Sequence, residues 1–483
     1  MAFSPKDRVV SVDAYRGLVM LAMVSGGFGI ASTVSSHPEL LSGSSGNIWK
    51  QAAYQFSHAP WAGCAFWDLI QPSFMFLVGV SLPFSVQSRL RKNASGKSMF
   101  WHALVRSIIL VLLGVFLSSQ SKNLSVVNIK LVNVLTQIGL GYMFVYALLH
   151  RGLIVHLLAI TAILGGYWFA FYQHEPPGNS VENVKAYLAE HEGVRLARES
   201  NVASEDGQDP VDLAVHAEVT QYEDDMRAHW NKHTNFAAAA DRWLLNLFPR
   251  NEQPWKPNEV ATAPASNDAQ PIVRDEEEQL DAIDNDGMGY WVNNGGYQTL
   301  NFVPSIATMI FGLIAGLVLI SDYGDWGTLA RLIVFAVLCF GGAFAMDSEL
   351  IPSELPQQWS VCPIVKRIWT PSWALFSAGW AFAILSVFYF VVDVLKLRRW
   401  TFPLAIVGMN SIAMYCLAQL TKGWFTRMLR ITMNFVDQMT GANSANFLFG
   451  DGTFVRIYQS IAVVVMLWLV CFWLYRRRLF IRI

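Results

Sequence analysis

The sequence predicts an all-α polytopic membrane protein of about ten transmembrane helices, with a mostly helical and irregular extracytoplasmic insert. Three observations carry that prediction. Of the 483 residues, 53% are hydrophobic and only 15% charged, too few to clothe a water-facing surface. Apolar windows of about 20 residues, the length that crosses a hydrocarbon layer, recur ten times. One polar stretch near the middle separates five of these windows from the other five.

The first window, near 14 to 34, follows SPKDRVVSVDAYRG. Its Asp and Arg, with no small-residue cleavage site after them, predict a retained helix rather than a cleaved signal. Asp13 and Arg16, three apart, share one helix face as an ion pair or as a seat for an anionic ligand. The second window, near 62 to 85, lies in SHAPWAGCAFWDLIQPSFMFLVGVSLPFS, which reads as one long helix from Ser57. The third, near 101 to 118, holds Arg106 about a turn inside, within reach of the surface by snorkelling. The fourth (131 to 149) carries the polar pair Thr136 and Gln137, and the fifth (152 to 172) is almost wholly apolar. The sixth (301 to 321) opens after Tyr297, Gln298 and Asn301. The seventh (329 to 346) and eighth (370 to 393) lead to the ninth (402 to 421), which places Asn410 and Ser411 in mid-membrane, and the tenth covers 457 to 475. Such mid-span polar groups bond neighbouring helices or line a ligand path.

Basic residues cluster in alternate loops: Lys6 and Arg8, Arg89 to Lys97, Arg151, Lys396 to Arg399, and Arg476 to Arg478. The positive-inside rule therefore puts both termini in the cytoplasm. Lys422, Arg427 and Arg430, read as an outer loop, break the trend. The chain divides into a first membrane half (1–172), an acidic insert (173–300) and a second membrane half (301–483). Residues 173 to 296 hold 24 acidic and 9 basic side chains, leaving 12 and 26 for the rest. A near-neutral total thus conceals an acidic outer part and a basic membrane body. No nucleic-acid partner is expected.

Within the insert, SVENVKAYLAEHEGVRLARE and DDMRAHWNKHTNFAAAADRWLLNLF have helical spacing, whereas NEQPWKPNEVATAPASNDAQP reads as irregular. His229 and His233 are four apart without a recognisable third ligand, so they read as surface residues. The acidic run DEEEQLDAIDNDG lacks calcium-loop spacing and reads as a solvated face. Five cysteines without a C-x-x-C pair predict neither a disulfide framework nor a metal site.

Charged groups in spans are costly and functional by default. Asp68, about seven residues into the second window, sits roughly 10 Å deep, and His58 lies about 15 Å from it along a straight helix. A hydrogen-bonded dyad requires Ala59-Pro60-Trp61 to fold back, which a proline permits. An imidazole near pKa 6.5 can take a proton or carry an acyl group.

RVVSVDAYRGLVMLAMV, HAPWAGCAFWDLIQPSFMFLVGVSLPFS, VNVLTQIGLGYMFVYALL, GGYQTLNFVPSIATMIFGLIAGLVL, WTPSWALFSAGWAFAILSVFYFVVDV and IVGMNSIAMY resemble, in that order, the heparan-alpha-glucosaminide N-acetyltransferase family. Two places depart from its pattern: Ser25-Gly26-Gly27, where animal members carry an asparagine, and Thr136-Gln137, where relatives often have Gln-Arg. The resemblance implies transfer of acetyl from cytosolic acetyl-CoA, a co-substrate, to an amino sugar or glycan across the membrane, with His58 catalytic. Asp68 would fix its tautomer or brace the helices. Arg16, and secondarily Arg106, would meet the CoA phosphates, and Asn410 and Ser411 the pantetheine arm. Trp61, Tyr297, Gln298 and Asn301 would border the sugar. The expected partners are membrane lipids, acetyl-CoA, the acceptor glycan and a second copy in a homodimer. The acidic insert suits an amine-bearing acceptor, or serves as a solubilising or partner-binding module. Two other readings stay open: an O-acetyltransferase on a cell-envelope glycan, and a transporter or flippase. A transporter would show inverted repeats and discontinuous helices.

Overall fold

The computed structural model describes residues 9–42, 45–120, 131–176, 180–191, 210–223, 225–247, 293, 295–349, 359–441 and 444–480. Each of the ten apolar windows falls on helix. Among the described residues, eight helices are long and apolar enough to cross a membrane. The fourth window forms the shorter apolar helix Val134–Leu148, and the ninth a pair bent by 69° between Arg399–Met409 and Ser411–Thr440. Among the described residues no strand forms; two isolated antiparallel bridges join Ala62 to Val365 and Asp347 to Ser360. The chain is an integral, all-α polytopic membrane protein.

In chain order the helices are α1 (Val10–Ser25), α2 (Ile30–Ser36), α3 (Gly46–Gln55), α4 (Ile70–Leu90), α5 (Gly96–Gln120), α6 (Val134–Leu148) and α7 (Leu153–Tyr172). The insert supplies α8 (Ser180–His191), α9 (Pro210–Val219), α10 (Asp225–Ala228) and α11 (Phe236–Leu245). The second half holds α12 (Phe302–Ile320), α13 (Gly324–Met346), α14 (Pro371–Tyr389), α15 (Phe402–Met409), α16 (Ser411–Thr440), α17 (Ser444–Phe449) and α18 (Val455–Arg476). Spans alternate in direction through the bundle. The loops around 90–96, 148–153, 394–402 and 476–480 share a basic end, and residues 57–65, the described part of the insert, 347–349 and 359–370 share the opposite, insert end.

The hub is the Thr299–Ile320 span, whose apolar window is 89% buried by protein. Helices in lipid gain little from hydrophobic contact with one another, so close approach through small residues decides their packing. A Cβ on Gly312 or Gly316 of α12 would overlap the carbonyls of Phe76 or Val80 on α4, and one on Gly79 the carbonyl of Met309. The same device joins α1 to α15, where Gly17 abuts the Leu404 carbonyl and Gly408 that of Asp13.

Three expectations change. The first window is not one continuous helix: Gly26, Gly27, Phe28 and Gly29 all take left-handed backbone, φ 56°, 65°, 53° and 66°, between α1 and α2. Phe28 alone costs about 1–2 kcal/mol there; glycine at the other three positions removes the Cβ clash. The second window's helix starts only at Phe66, so Asp68 belongs to its first turn rather than its interior, and 57–65 is a loop. The ninth window straddles the bend. Its Asn410 and Ser411 sit at the break, with Asn410 Nδ2 donating to the Leu479 carbonyl just beyond α18 at 3.3 Å. That is the basic end, not mid-membrane. Lys422, Arg427 and Arg430 lie on α16 itself instead of an outer loop.

In the insert, α8 and α9 enclose a small core of Val184, Tyr187, Leu188, Ala214, Val215 and Val219. The segment expected to be one helix from 224 to 248 is split, with turns at 229–235 between α10 and α11. His233 is fully buried rather than at the surface, because Trp230 and α11 pack onto the membrane body through Trp61, Tyr167, Phe171, Cys362, Val365 and Ile368. The Pro-rich run and the acidic run after Arg274 lie outside the described residues.

Gly312→Val tests the glycine contact. Forcing a branched side chain against the α4 backbone should cost roughly 3 kcal/mol, read as a large drop in thermal midpoint in detergent, whereas Gly341→Ala, with open space around it, should leave the midpoint in place.

Candidate active site

Pro60 and Gly63 turn the chain back after His58, and two contacts tie the loop down. Gly63 N donates to the Ile364 carbonyl at 2.9 Å, and Ala62 pairs with Val365. The facing loop is set in turn by Asp347, which accepts from Ile364 N at 2.7 Å, and by Thr370, whose hydroxyl accepts from Val365 N at 3.0 Å. Two loops from different halves of the chain are thereby held side by side.

At their junction stands the Asp68 carboxylate, 1% exposed. One oxygen, Oδ2, accepts from Ala59 N at 3.0 Å and Ala65 N at 3.1 Å, capping the new helix. The other, Oδ1, is 2.7 Å from His58 Nδ1 and 3.2 Å from Lys366 Nζ. Lys366 Nζ also lies 3.1 Å from His58 Nδ1. That nitrogen cannot both accept from the ammonium and donate to the carboxylate. A buried carboxylate flanked by an ammonium is the stronger acceptor, so we assign the proton to Nδ1, and ammonium and imidazole share Oδ1. This tautomer leaves the Nε2 lone pair of His58, whose side chain is 29% exposed, available as a base.

Tyr297 closes one side, its ring edge-on to His58 at 6.5 Å. Lys366 and Arg367 stand 5.8 and 5.9 Å from the Tyr297 ring centre. Arg367 donates to the Gly295 carbonyl at 2.9 Å and is itself braced by Asn301, whose amide donates to its carbonyl at 2.7 Å. Gln298 and Asn301 are both 1% exposed, behind Tyr297. Trp61, 6% exposed, donates to the Trp230 carbonyl at 3.2 Å and anchors the insert. Burial pushes the thiols of Cys64 and Cys362 up to about 12, so neither neighbouring cysteine is a thiolate at neutral pH.

His58, Asp68 and Tyr297 therefore come together as one group, joined by Lys366 and Arg367, which sequence reasoning missed. Their signal was the adjacent cation pair in VCPIVKRIW, at the end expected to be poor in basic residues. Of the remaining candidates, Trp61, Gln298 and Asn301 stay buried at this end, whereas Arg16, Asn410 and Ser411 lie toward the basic end. Arg16 bonds the Ser81 hydroxyl and stands 3.8 Å from Asp13. Arg106 lies about 15 Å along α5 from Gly96, because the helix starts earlier than its hydropathy window. It donates to Tyr142 Oη at 3.2 Å instead of snorkelling, and its buried Nε has no partner. Gln71, one turn past Asp68 on α4, donates to Gln137 in the first turn of α6 at 3.3 Å, near the insert end. Among the described residues no three His, Cys, Asp or Glu side chains gather as a metal site.

No family model matches the chain. Two curated relatives do, over part of their length. The heparan-alpha-glucosaminide N-acetyltransferase of Mus musculus is 28% identical over 149 residues, 30% of this chain and 20% of that protein. Its Homo sapiens counterpart is 28% identical over 145 residues, 29% and 19%. The matched stretch thus spans about a fifth of the relatives' length.

The wall carrying Tyr297 has a titrating anchor. Asp241 on α11 accepts from Thr299 N at 2.8 Å, and burial, outweighing its bonds to Thr299 and the nearby Arg242, pushes its carboxyl up to about 6 from 3.8. The folded chain holds this proton more tightly than the unfolded one. Its contribution is therefore fully present below about pH 4 and lost as pH rises through about 6, by up to about 3 kcal/mol. Asp241→Asn keeps the acceptor for Thr299 without the charge. Thermal unfolding should then lose pH dependence between 4 and 7, and the variant should melt higher than the parent at pH 8.

Proposed function

We propose that the protein is a transmembrane acyltransferase that takes an acetyl group from cytosolic acetyl-CoA at the basic end and delivers it to an amino sugar or glycan at the insert end. The observation that carries this reading is the His58–Asp68–Lys366 cluster, an oriented base at the end remote from the basic loops. The partial likeness to an N-acetyltransferase supports the class. In this reading the basic loops and both termini are cytoplasmic, as in a bacterial inner-membrane protein.

A charged nucleotide cannot cross hydrocarbon cheaply, so CoA stays at the basic rim. Arg16 meets its phosphates there, Asn410 and Ser411 lie at the same end, Arg106 stands deeper as a secondary contact beside Tyr142, and the thin pantetheine arm carries the thioester toward His58. His58 Nε2 takes a proton from the acceptor amine as its nitrogen attacks the thioester carbonyl. The C–S bond of the tetrahedral intermediate then breaks, and the imidazolium returns the proton to the leaving sulfur, giving amide and CoA thiol. Asp68 holds the imidazole in the productive tautomer and offsets its charge while it is protonated. Lys366 keeps that carboxylate ionised and raises the positive potential where the oxyanion develops. A route through N-acetyl-His58 uses the same atoms in two steps. Tyr297 borders the acceptor; Trp61, Gln298 and Asn301 act from behind it.

One observation favours a second reading, transport of a sugar or lipid-linked substrate. Discontinuous helices are present, in the left-handed turn after α1 and the 69° break before α16. A His–Asp–Lys group confined to one end, with only the imidazole partly exposed, is what a carrier does not need.

Purified protein should transfer acetyl from acetyl-CoA to glucosamine. His58→Ala should lower kcat by on the order of 10³-fold or more, and Asp68→Asn, with the tautomer lost, by on the order of 10²-fold or more. Uptake of sugar into vesicles without CoA release, and with no transfer, would establish the carrier instead.

A further inference from the structure

Lys422 lies on α16, in the second helix of the bent pair, and is exposed at the bundle surface. Met414 of α16 touches Cys471 of α18, sulfur to sulfur at 3.4 Å, and the two helices run in opposite directions. Eight residues further along α16, Lys422 stands about 12 Å nearer the insert end than Met414, and about 12 Å short of Val455 where α18 begins. Among the described residues it has no carboxylate partner. Its ammonium instead fills the place a side chain would take on Gly26: a Cβ there would be 2.9 Å from Nζ.

Gly26 is the left-handed residue that ends α1. The last carbonyls of a helix lack intrahelical partners and carry the negative end of its dipole, and Ser25 at this end is 1% exposed. Ser25 Oγ donates to the Ala22 carbonyl at 2.7 Å; the ammonium supplies the matching positive charge. Beyond it, Gly27 lies so close under the Phe56 carbonyl that a Cβ would be 2.7 Å from the oxygen. The Phe28 ring meets Phe56 edge-on at 6.3 Å. Phe56 in turn packs on Phe66 and Trp67 at 6.1 and 6.4 Å. The turn therefore supports the chain two residues before His58 and the two residues immediately before Asp68.

We propose that Lys422 is a positioning residue for the His58–Asp68 pair: its charge closes the broken end of α1 and fixes the left-handed turn on which the catalytic loop rests. The kinetic part of this inference rests on the acyltransferase reading; the structural part does not.

The test uses the full-length protein in detergent or vesicles. The first measurement is the pH profile of His58 carbethoxylation by diethyl pyrocarbonate, read on the His58 peptide by mass spectrometry, which needs neither donor nor acceptor. Lys422→Met and Lys422→Gln should move the midpoint of that profile by about half a pH unit or more. They should also lower kcat on the order of tenfold, with KM for acetyl-CoA within about twofold. Lys422→Arg should restore both. Gly27→Ala, which presses the Phe56 carbonyl from the other side of the turn, should displace the profile as the Lys422 variants do even if Lys422→Met folds poorly. An unmoved midpoint in folded Lys422→Gln, or a midpoint that Lys422→Arg leaves displaced, overturns the proposal. Absence of acetyl transfer by the parent protein refutes the acyltransferase reading alone, and the carbethoxylation profile still decides the role of Lys422.

Discussion

A single carboxylate in the first turn of a membrane helix organises the insert end of this protein. Asp68 is nearly inaccessible, and a buried charge is tolerable only when its lone pairs are used. Here two backbone amides, an imidazole and an ammonium use them. Satisfying that one group pulls the chain before it into a loop, brings Lys366 across from the second half of the molecule, and sets which imidazole nitrogen faces outward. The cost of leaving any partner out is what makes the arrangement specific.

The scaffold beneath it is rigid for a reason that suits lipid. Backbone-to-backbone contact at Gly79, Gly312 and Gly316 lets α4 and α12 approach more closely than apolar side chains allow, and α1 and α15 repeat the device. Because α4 begins at the Asp68 cap and α12 begins just past Tyr297, this packing sets the spacing between His58 and the aromatic wall beside it. Against this rigid pair, α1 is deliberately broken. Four successive left-handed residues are tolerated because three are glycines and because Phe28 regains contact on Phe56.

The described part of the insert is more than a solubilising appendage. Trp230 and α11 complete an apolar cluster with Trp61 and the 362–368 loop, and Asp241 fastens Thr299. Residues distant in sequence thereby buttress Tyr297, and the protonation of Asp241 is coupled to the firmness of that wall.

Hydropathy by itself determined the membrane fold, the ten apolar segments, the polar interruption and the alternation of basic loops, because each depends on local transfer energies that add along the chain. His58, Asp68 and Tyr297 were also legible as types out of place near an apolar span. What the sequence could not decide was distance. A straight-helix reading separated His58 from Asp68 by about 15 Å, where the folded loop leaves 2.7 Å. It placed Asn410 at mid-membrane because a hydropathy window does not register a 69° bend. It passed over Lys366, Arg367 and the place of Lys422, whose partners lie tens to hundreds of residues away in the chain. Those relations exist only once desolvated polar groups must find one another across the packed bundle, and tertiary structure alone decides which of them do.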